Sequence, residues 1–314
     1  PQLRPRSPLP ARAEHRSPMI RISLHVALRY EIDAQGADFV FNIHAAHTDS
    51  QTVSAEVLQI SQDVPWQIHT EPGSGNRCLR LRANAGPLDL AYAATVDLMH
   101  HRASPAALPE VPVSRLPPAV LGCLYPSRYC QSDRLIRFAI REFGHLPQGC
   151  ERVMAIQAWV QQRITFRSNT SNSSTSAVDT LIEQVGVCRD FAHLMIALCR
   201  ALNIPARFAT GTDFGADPAL GPPDFHAYVE VFRGTRWDRF EASGTSSPLG
   251  CVRVGTGRDA ADVAFATIFG GVFAHPPVIR GEAVVDAAIG AVQPHHCDDV
   301  LSTVGITRTV HQGG

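Results

Sequence analysis

The sequence lacks several features that would assign it a class. No apolar run approaches the roughly 20 residues a helix needs to cross a bilayer, so no membrane partner is expected. There is no excess of either charge: 28 Lys plus Arg stand against 29 Asp plus Glu, for a net charge of -1. Without a basic footprint, nucleic acid is a disfavoured partner. The eight cysteines form no C-x-x-C pair and meet no H-x-x-x-H set, so neither a zinc ribbon nor a disulfide framework is read from them. A reducing, cytoplasmic setting is the expectation. Residues 1–18 are rich in Pro and Arg and have no apolar h-region, so they read as a disordered arm or as residues upstream of a start at Met19.

What is present is ordinary globular material, 45% hydrophobic and 18% charged in 314 residues, enough for two domains. From Ile20 to about Leu98, short alternating runs such as "ISLHVALRYEI" and "DFVFNIHAA" are separated by Gly, Asp and Asn turns. Period-two runs of this kind predict an antiparallel β-sandwich over residues 19–99. Residues 100–118 carry five prolines and no periodicity and read as a linker. Residues 119–275 then switch to helical spacing in "DRLIRFAIREF" and "CERVMAIQAWVQQRI", followed by a Ser/Thr/Asn-rich loop, a third helix from Cys188, and a hairpin. "GRDAADVAFATIFGG" reads as helical at its centre, and residues 276–314 as a tail with little pattern.

"GVCRDFAHLMIALCRALNIPAR" holds two cysteines in different settings. On a wheel of about 100° per residue, Phe191, Met195, Leu198, Cys199 and Leu202 lie within roughly 80° of Cys188, so that thiol heads a buried stripe. His193 falls on another face and is a poor partner for it. Unpaired N–H groups and the positive end of the helix dipole favour thiolate at such a position, and thiolate is a nucleophile. The same N–H groups can hold an oxyanion, the Cys188 N–H first among them, with the polar loop Ser168 to Ser176 the nearest stretch for a second donor. A buried structural cysteine is the competing reading.

In "DFHAYVEVFRGTRWDRFEAS", His226, Tyr228 and Glu230 share one strand face. With Arg233-Gly234 as the turn, His226 falls opposite Glu241, close enough for a carboxylate to orient the imidazole. A one-residue slip favours Asp238 instead. A cysteine at a helix start, with a histidine and an acid on one face of a later hairpin, supplies nucleophile, base and orienting acid.

"GVCRDFAHLMIALCRALNIPARFATG", "FHAYVEVF" and "RWDRFEASG" resemble the three motif blocks of the bacterial transglutaminase-like superfamily, a group that includes candidate cysteine proteases. "YPSRYCQSDRL" and "GTGRDAADVAFATIFGG" resemble its flanking segments, and the strand-rich N-terminal region resembles its β-domain. The resemblance implies an α+β fold with a papain-like, transglutaminase-like core, its Cys-bearing helix packed on an antiparallel sheet. It implies Cys188 as nucleophile, His226 as base and Glu241 as orienting acid, where the family usually has Asp-Pro-Thr and this chain has Glu241-Ala242-Ser243. It further implies a thioester acyl-enzyme formed from a peptide or protein amide, resolved by water or by a primary amine acceptor, with no cofactor. Arg189 and Tyr228 are candidates for substrate or oxyanion contact. A catalytically weak scaffolding module is the alternative.

Two further signals carry less. Gly255-x-Gly257-x-x-Ala260 fits a dinucleotide fingerprint outside any clear βαβ unit. His295-His296-Cys297-Asp298 has donors too close together to close one tetrahedral metal site, so no metal is expected.

Overall fold

The computed structural model describes residues 15–103, 109–212, 214, 224–246, 248–295 and 300–302. The first eight strands are β1 (His15–Arg16), β2 (Ile20–Ile32), β3 (Ala37–Phe41), β4 (Gln51–Ile60), β5 (Trp66–Thr70), β6 (Arg77–Ala83), β7 (Gly86–Leu98) and β8 (His101–Ala103). Along β2, every second residue from Ile20 to Ile32 is buried, which is the alternation visible in the sequence. β2 pairs antiparallel with β7 over its whole length. β3 and β6 place Phe39, Phe41, Leu79 and Leu81 in the same apolar core as Ile22, Leu24 and Val26, so the two sheets form a sandwich.

The following elements are α1 (Pro118–Leu121), α2 (Ser132–Phe143), α3 (Cys150–Arg163), β9 (Thr165–Phe166), α4 (Ala177–Glu183), β10 (Val185–Gly186) and α5 (Cys188–Ala201). Strands β11 (Ala206–Thr212), β12 (Phe225–Arg233), β13 (Arg236–Phe240) and β14 (Val252–Gly257) come next. Then follow β15 (Ala266–Phe269), β16 (Val272–Ala274), β17 (Val278–Val284) and β18 (Val300–Ser302). A sheet ordered β1-β8-β18-β13-β12-β11-β14 forms the floor of the second unit. Helix α5 lies on β11 and β12, where Ala227, Val229 and Val231 join its core, and α2, α3 and α4 surround it. Leu135, Ala139 and Phe143 supply the buried stripe of α2 at four-residue spacing. The architecture is α+β, with the cysteine-bearing helix on an antiparallel sheet behind an N-terminal β-domain.

Three boundaries differ from the sequence reading. The expected linker begins as strand, because His101–Ala103 pairs with β18 and β1 in the core sheet. "GRDAADVAFATIFGG" contains β15 and no helix: β15 extends β3, which offers Ala266–Phe269 an open antiparallel edge. The expected tail holds β17, which pairs with β2 from Val278 to Val284 and buries Ile279 in the sandwich. Tertiary pairing overrides weak local pattern in all three cases. Residues 1–14 of the expected arm lie outside the described residues, and the rest of it is ordered: His15–Arg16 pairs with β8, and the Ser17 N–H donates to the His100 carbonyl at 2.9 Å.

A sandwich residue behaves differently from a tail residue. Ile279→Ala is expected to lower unfolding free energy by about 2–4 kcal/mol in urea titration, whereas a solvated tail position would change it by less than about 0.5 kcal/mol.

Candidate active site

Helix α5 begins with its backbone locked from two sides. Asp190, buried at its first turn, accepts a 2.8 Å hydrogen bond from the Val187 N–H, satisfying one of the unpaired donors of the helix start. That carboxylate folds back against Gly186, where a Cβ would sit 2.7 Å from the Asp190 Cβ and 2.9 Å from Oδ2. Gly186 is therefore required by the cap, and the "G-V-C-R-D" spacing follows from it. Ser171 donates to Asp190 Oδ1 at 2.8 Å, and the Arg189 guanidinium bonds Ser171 Oγ and the Asn172 carbonyl. The polar loop is thus fastened onto the helix start beside half-buried Cys188.

His226, at the start of β12, lies near enough to the Cys188 side chain for the two to interact. Its Nε2 lies 2.7 Å from Glu241 Oε2. Burial is the largest influence on this imidazole and pulls its pKa down. The Glu241 charge and the interactions with Cys188 and Glu241 outweigh it, so His226 is held well above its ordinary value. For Glu241, burial pushes the pKa up, but the His226 charge and hydrogen bond, the Arg239 charge and Ser243 hold it below the usual carboxylate range. Ser243 Oγ donates to Glu241 Oε1 at 2.8 Å, Ser246 Oγ to Oε2 at 3.3 Å, and Gln161 Nε2 to the Glu241 carbonyl at 2.8 Å. Arg239 Nη2 stands 3.5 Å from Oε2.

The turn of the hairpin is Gly234-Thr235, with Gly234 at φ 59°, and Arg233 pairs with Arg236 inside the ladder. The register is therefore displaced by two residues from the sequence expectation. A two-residue shift preserves side-chain parity, so Asp238 stays on the face opposite His226. There Asp238 lies opposite Val231 and 3.1 Å from Arg233 Nη2, and burial, opposed by that cation, pushes its pKa up to about 7. Glu241, just past the strand end, makes the contact with its longer side chain.

The structure brings Cys188, His226 and Glu241 together, encloses Tyr228 away from them, and keeps Arg189 beside Cys188 with its guanidinium on the polar loop. Tyr228 is fully buried beneath Arg239, whose Cζ is 4.1 Å from its ring centroid, so it cannot meet substrate. Arg189 is committed to the loop. His193 is buried, stacked 5.0 Å from Tyr129, and accepts from the Ala260 N–H, with its pKa held well below the ordinary value by burial and by Arg189 and Arg200. In the glycine fingerprint, Gly255 and Gly257 lie in β14, and buried Asp259 accepts from the Tyr129 and Ala261 N–H groups, an anchor between segments. Among the described residues no cluster of His, Cys, Asp and Glu could hold a metal, and residues 296–299 lie outside them. Gln161, Ser243 and Ser246 were not singled out in the sequence. Ser243 and Ser246 carried a signal in their closeness to Glu241, and Gln161 carried none.

With this geometry in view, comparisons with known proteins place the chain. The transglutaminase-like superfamily model matches residues 139–242, a span that holds Cys188, His226 and Glu241, and the model for the bacterial transglutaminase N-terminal domain matches residues 20–119. A solved structure of a candidate cysteine protease from Cytophaga hutchinsonii superposes with a TM-score of 0.85 at 36% identity, covering 92% of this chain and 99% of that one. The chain belongs to the transglutaminase-like superfamily. An uncharacterised protein of Mycobacterium leprae is 29% identical over 145 residues, 45% of this chain and 52% of that protein. One of Mycobacterium tuberculosis is 38% identical over 110 residues, 32% of this chain and 35% of that protein. The chain thus spans about half of the first of these mycobacterial relatives and about a third of the second.

The coupled pair has a defined pH window. Glu241, depressed on folding, contributes stability that is present above its ordinary value of 4.5 and lost as pH falls through its folded value. His226, raised on folding, contributes stability that is present below 6.5 and lost as pH rises through its folded value. The melting temperature of the wild type should therefore exceed that of Glu241→Gln most between pH 4.5 and 6.5 and converge with it on both sides. A gap that keeps its full size both well below pH 4.5 and at alkaline pH would contradict the pairing.

Proposed function

We propose that the protein is a thiol-dependent enzyme that acts on amide bonds through a thioester acyl-enzyme. The observation that supports this most is the contact of half-buried Cys188 at a helix start with His226, whose far nitrogen is 2.7 Å from a buried carboxylate. In this reading the Cys188 thiolate attacks the amide carbonyl, and the carbon–sulfur bond forms as the carbonyl electron pair moves onto oxygen. The Cys188 N–H donates to that oxyanion. Collapse expels the amine, which takes its proton from the His226 imidazolium, leaving a thioester on Cys188. Glu241 holds the ring with Nε2 engaged, so the other nitrogen faces the sulfur, and its charge supports the imidazolium that precedes proton transfer.

The thioester is then released by water or by a primary amine, each deprotonated by the neutral His226. None of the 28 cationic side chains of this sequence is a lysine, so no residue within it can serve as an ε-amine acceptor. The contact Glu241 makes with His226 supports an active centre over an inert scaffold, since the added methylene is accommodated at hydrogen-bond distance.

The test is turnover of a peptide-amide library with and without added methylamine. Wild type is expected to release amine or to incorporate methylamine. Cys188→Ala should abolish both, a loss of about three orders of magnitude or more, and His226→Ala should come close to it. Turnover that survives in Cys188→Ala would refute the proposal.

A further inference from the structure

Strand β14 is the outer strand of the core sheet, bonded to β11 on one side, and its other side faces the β-domain. The Ala46 N–H of that domain donates to the Arg253 carbonyl at 2.9 Å, and beside it two side-chain amides occupy the free edge as a strand would. Gln51 Oε1 accepts from the Arg253 N–H at 2.8 Å, while Gln51 Nε2 donates to the Arg253 carbonyl at 2.8 Å and to the Ala46 carbonyl at 2.7 Å. Asn76 repeats the arrangement at Thr256, with Oδ1 accepting from its N–H at 2.8 Å and Nδ2 donating to its carbonyl at 2.7 Å. An open edge would leave these backbone groups to solvent or to another chain.

The two amides are not equivalent with respect to the site. Arg253 is the ladder partner of Gly211, and Gly211 is the partner of His226. Thr256 is the partner of Ala209, and Ala209 of Tyr228. One row of the sheet therefore runs from the Gln51 amide through Arg253 and Gly211 to His226, and the Asn76 row ends at a buried tyrosine. Gly211 is the tight point of the first row: a Cβ there would lie 2.4 Å from the Val252 carbonyl oxygen, and the β11–β14 register shifts between Thr210 and Gly211. The Arg253 side chain adds a second link, its Nη1 4.0 Å from Glu230 on the His226 strand. Gln51 is buried to within 1% exposure, so water does not compete for its bonds.

We propose that Gln51 is a positioning residue for His226, and that through it the β-domain is part of the catalytic apparatus. This rests on the reading of Cys188 and His226 given above. The backbone of β14 is fixed by the amide, the irregular step at Gly211 is held in one register, and the imidazole is delivered to the sulfur.

The test uses the full chain and iodoacetamide, with Cys188 alkylation followed by peptide mass spectrometry, because Cys78 and Cys123 are also partly exposed. Rates are taken across pH, with melting temperature measured for each variant. Gln51→Ala is expected to slow Cys188 alkylation by about fivefold or more near neutral pH and to displace its pH profile, the scale set by the loss of a buried amide pairing. Asn76→Ala, which removes the same kind of pairing one row group away, should change the rate by less than about twofold even where its melting temperature falls as far. Equal slowing in both variants, or none in either, overturns the proposal. If Gln51→Ala does not fold, Gln51→Glu keeps the acceptor for the Arg253 N–H and loses the donor. It should then slow alkylation to a lesser degree, and a wild-type rate and profile would overturn the proposal. Failure of the underlying reading is seen separately, as a wild-type rate in His226→Ala.

Discussion

From Asp190 to Ala201, every residue of α5 is buried, and only the first turn comes near solvent. A helix with no exposed face needs neighbours on all sides, which α2, α3, α4 and the sheet provide. Leu194, Met195, Ile196 and Leu198 each remove an aliphatic side chain from water, worth roughly 1.5–3 kcal/mol apiece against an exposed reference. Their burial fixes the axis of the helix to within packing tolerance. The half-buried sulfur at its tip inherits that precision, on a support that cannot drift.

The opposite partner is held by polar means. Glu241 is buried at the end of β13, with two hydroxyls and an arginine around its carboxylate and Gln161 on its carbonyl. A lone buried carboxylate would be costly; one shared among a cation, hydroxyls and an imidazole is tolerated. The site thus joins a dry element to a wired one, and the contact between Cys188 and His226 is where they meet.

Much of this was legible in the residues. The alternation of β2, the four-residue stripe of α2 and the helix start at Cys188 were all readable, because each follows from a period or a breaker that acts locally. Parity along the hairpin selected Glu241 over Asp238 even though the turn is one residue later than Arg233-Gly234. Three things were not legible. Ile279 and the β15 strand gain their identity from edges of β2 and β3 far back in the chain, and no local pattern carries that information. The burial of Tyr228 depends on which layer covers the outer side of the sheet. The all-round burial of α5 hides His193 and Asp190, which a wheel drawn for an amphipathic helix assigns to separate faces without showing that each is enclosed.

The return of β15, β16 and β17 to the sandwich places the helices and most strands of the transglutaminase-like core between two parts of one β-domain along the chain, with β18 following them into the core sheet. As the chain emerges from the ribosome, β2 and β3 each gain one neighbour early and wait for the other until more than two hundred intervening residues have been made. During that interval both sheets present a bare hydrogen-bonding rim, the type of surface on which nascent chains stick to one another. Strands β15, β16 and β17 act as a clasp, closing the rim of the sandwich only after the helices of the core have been made.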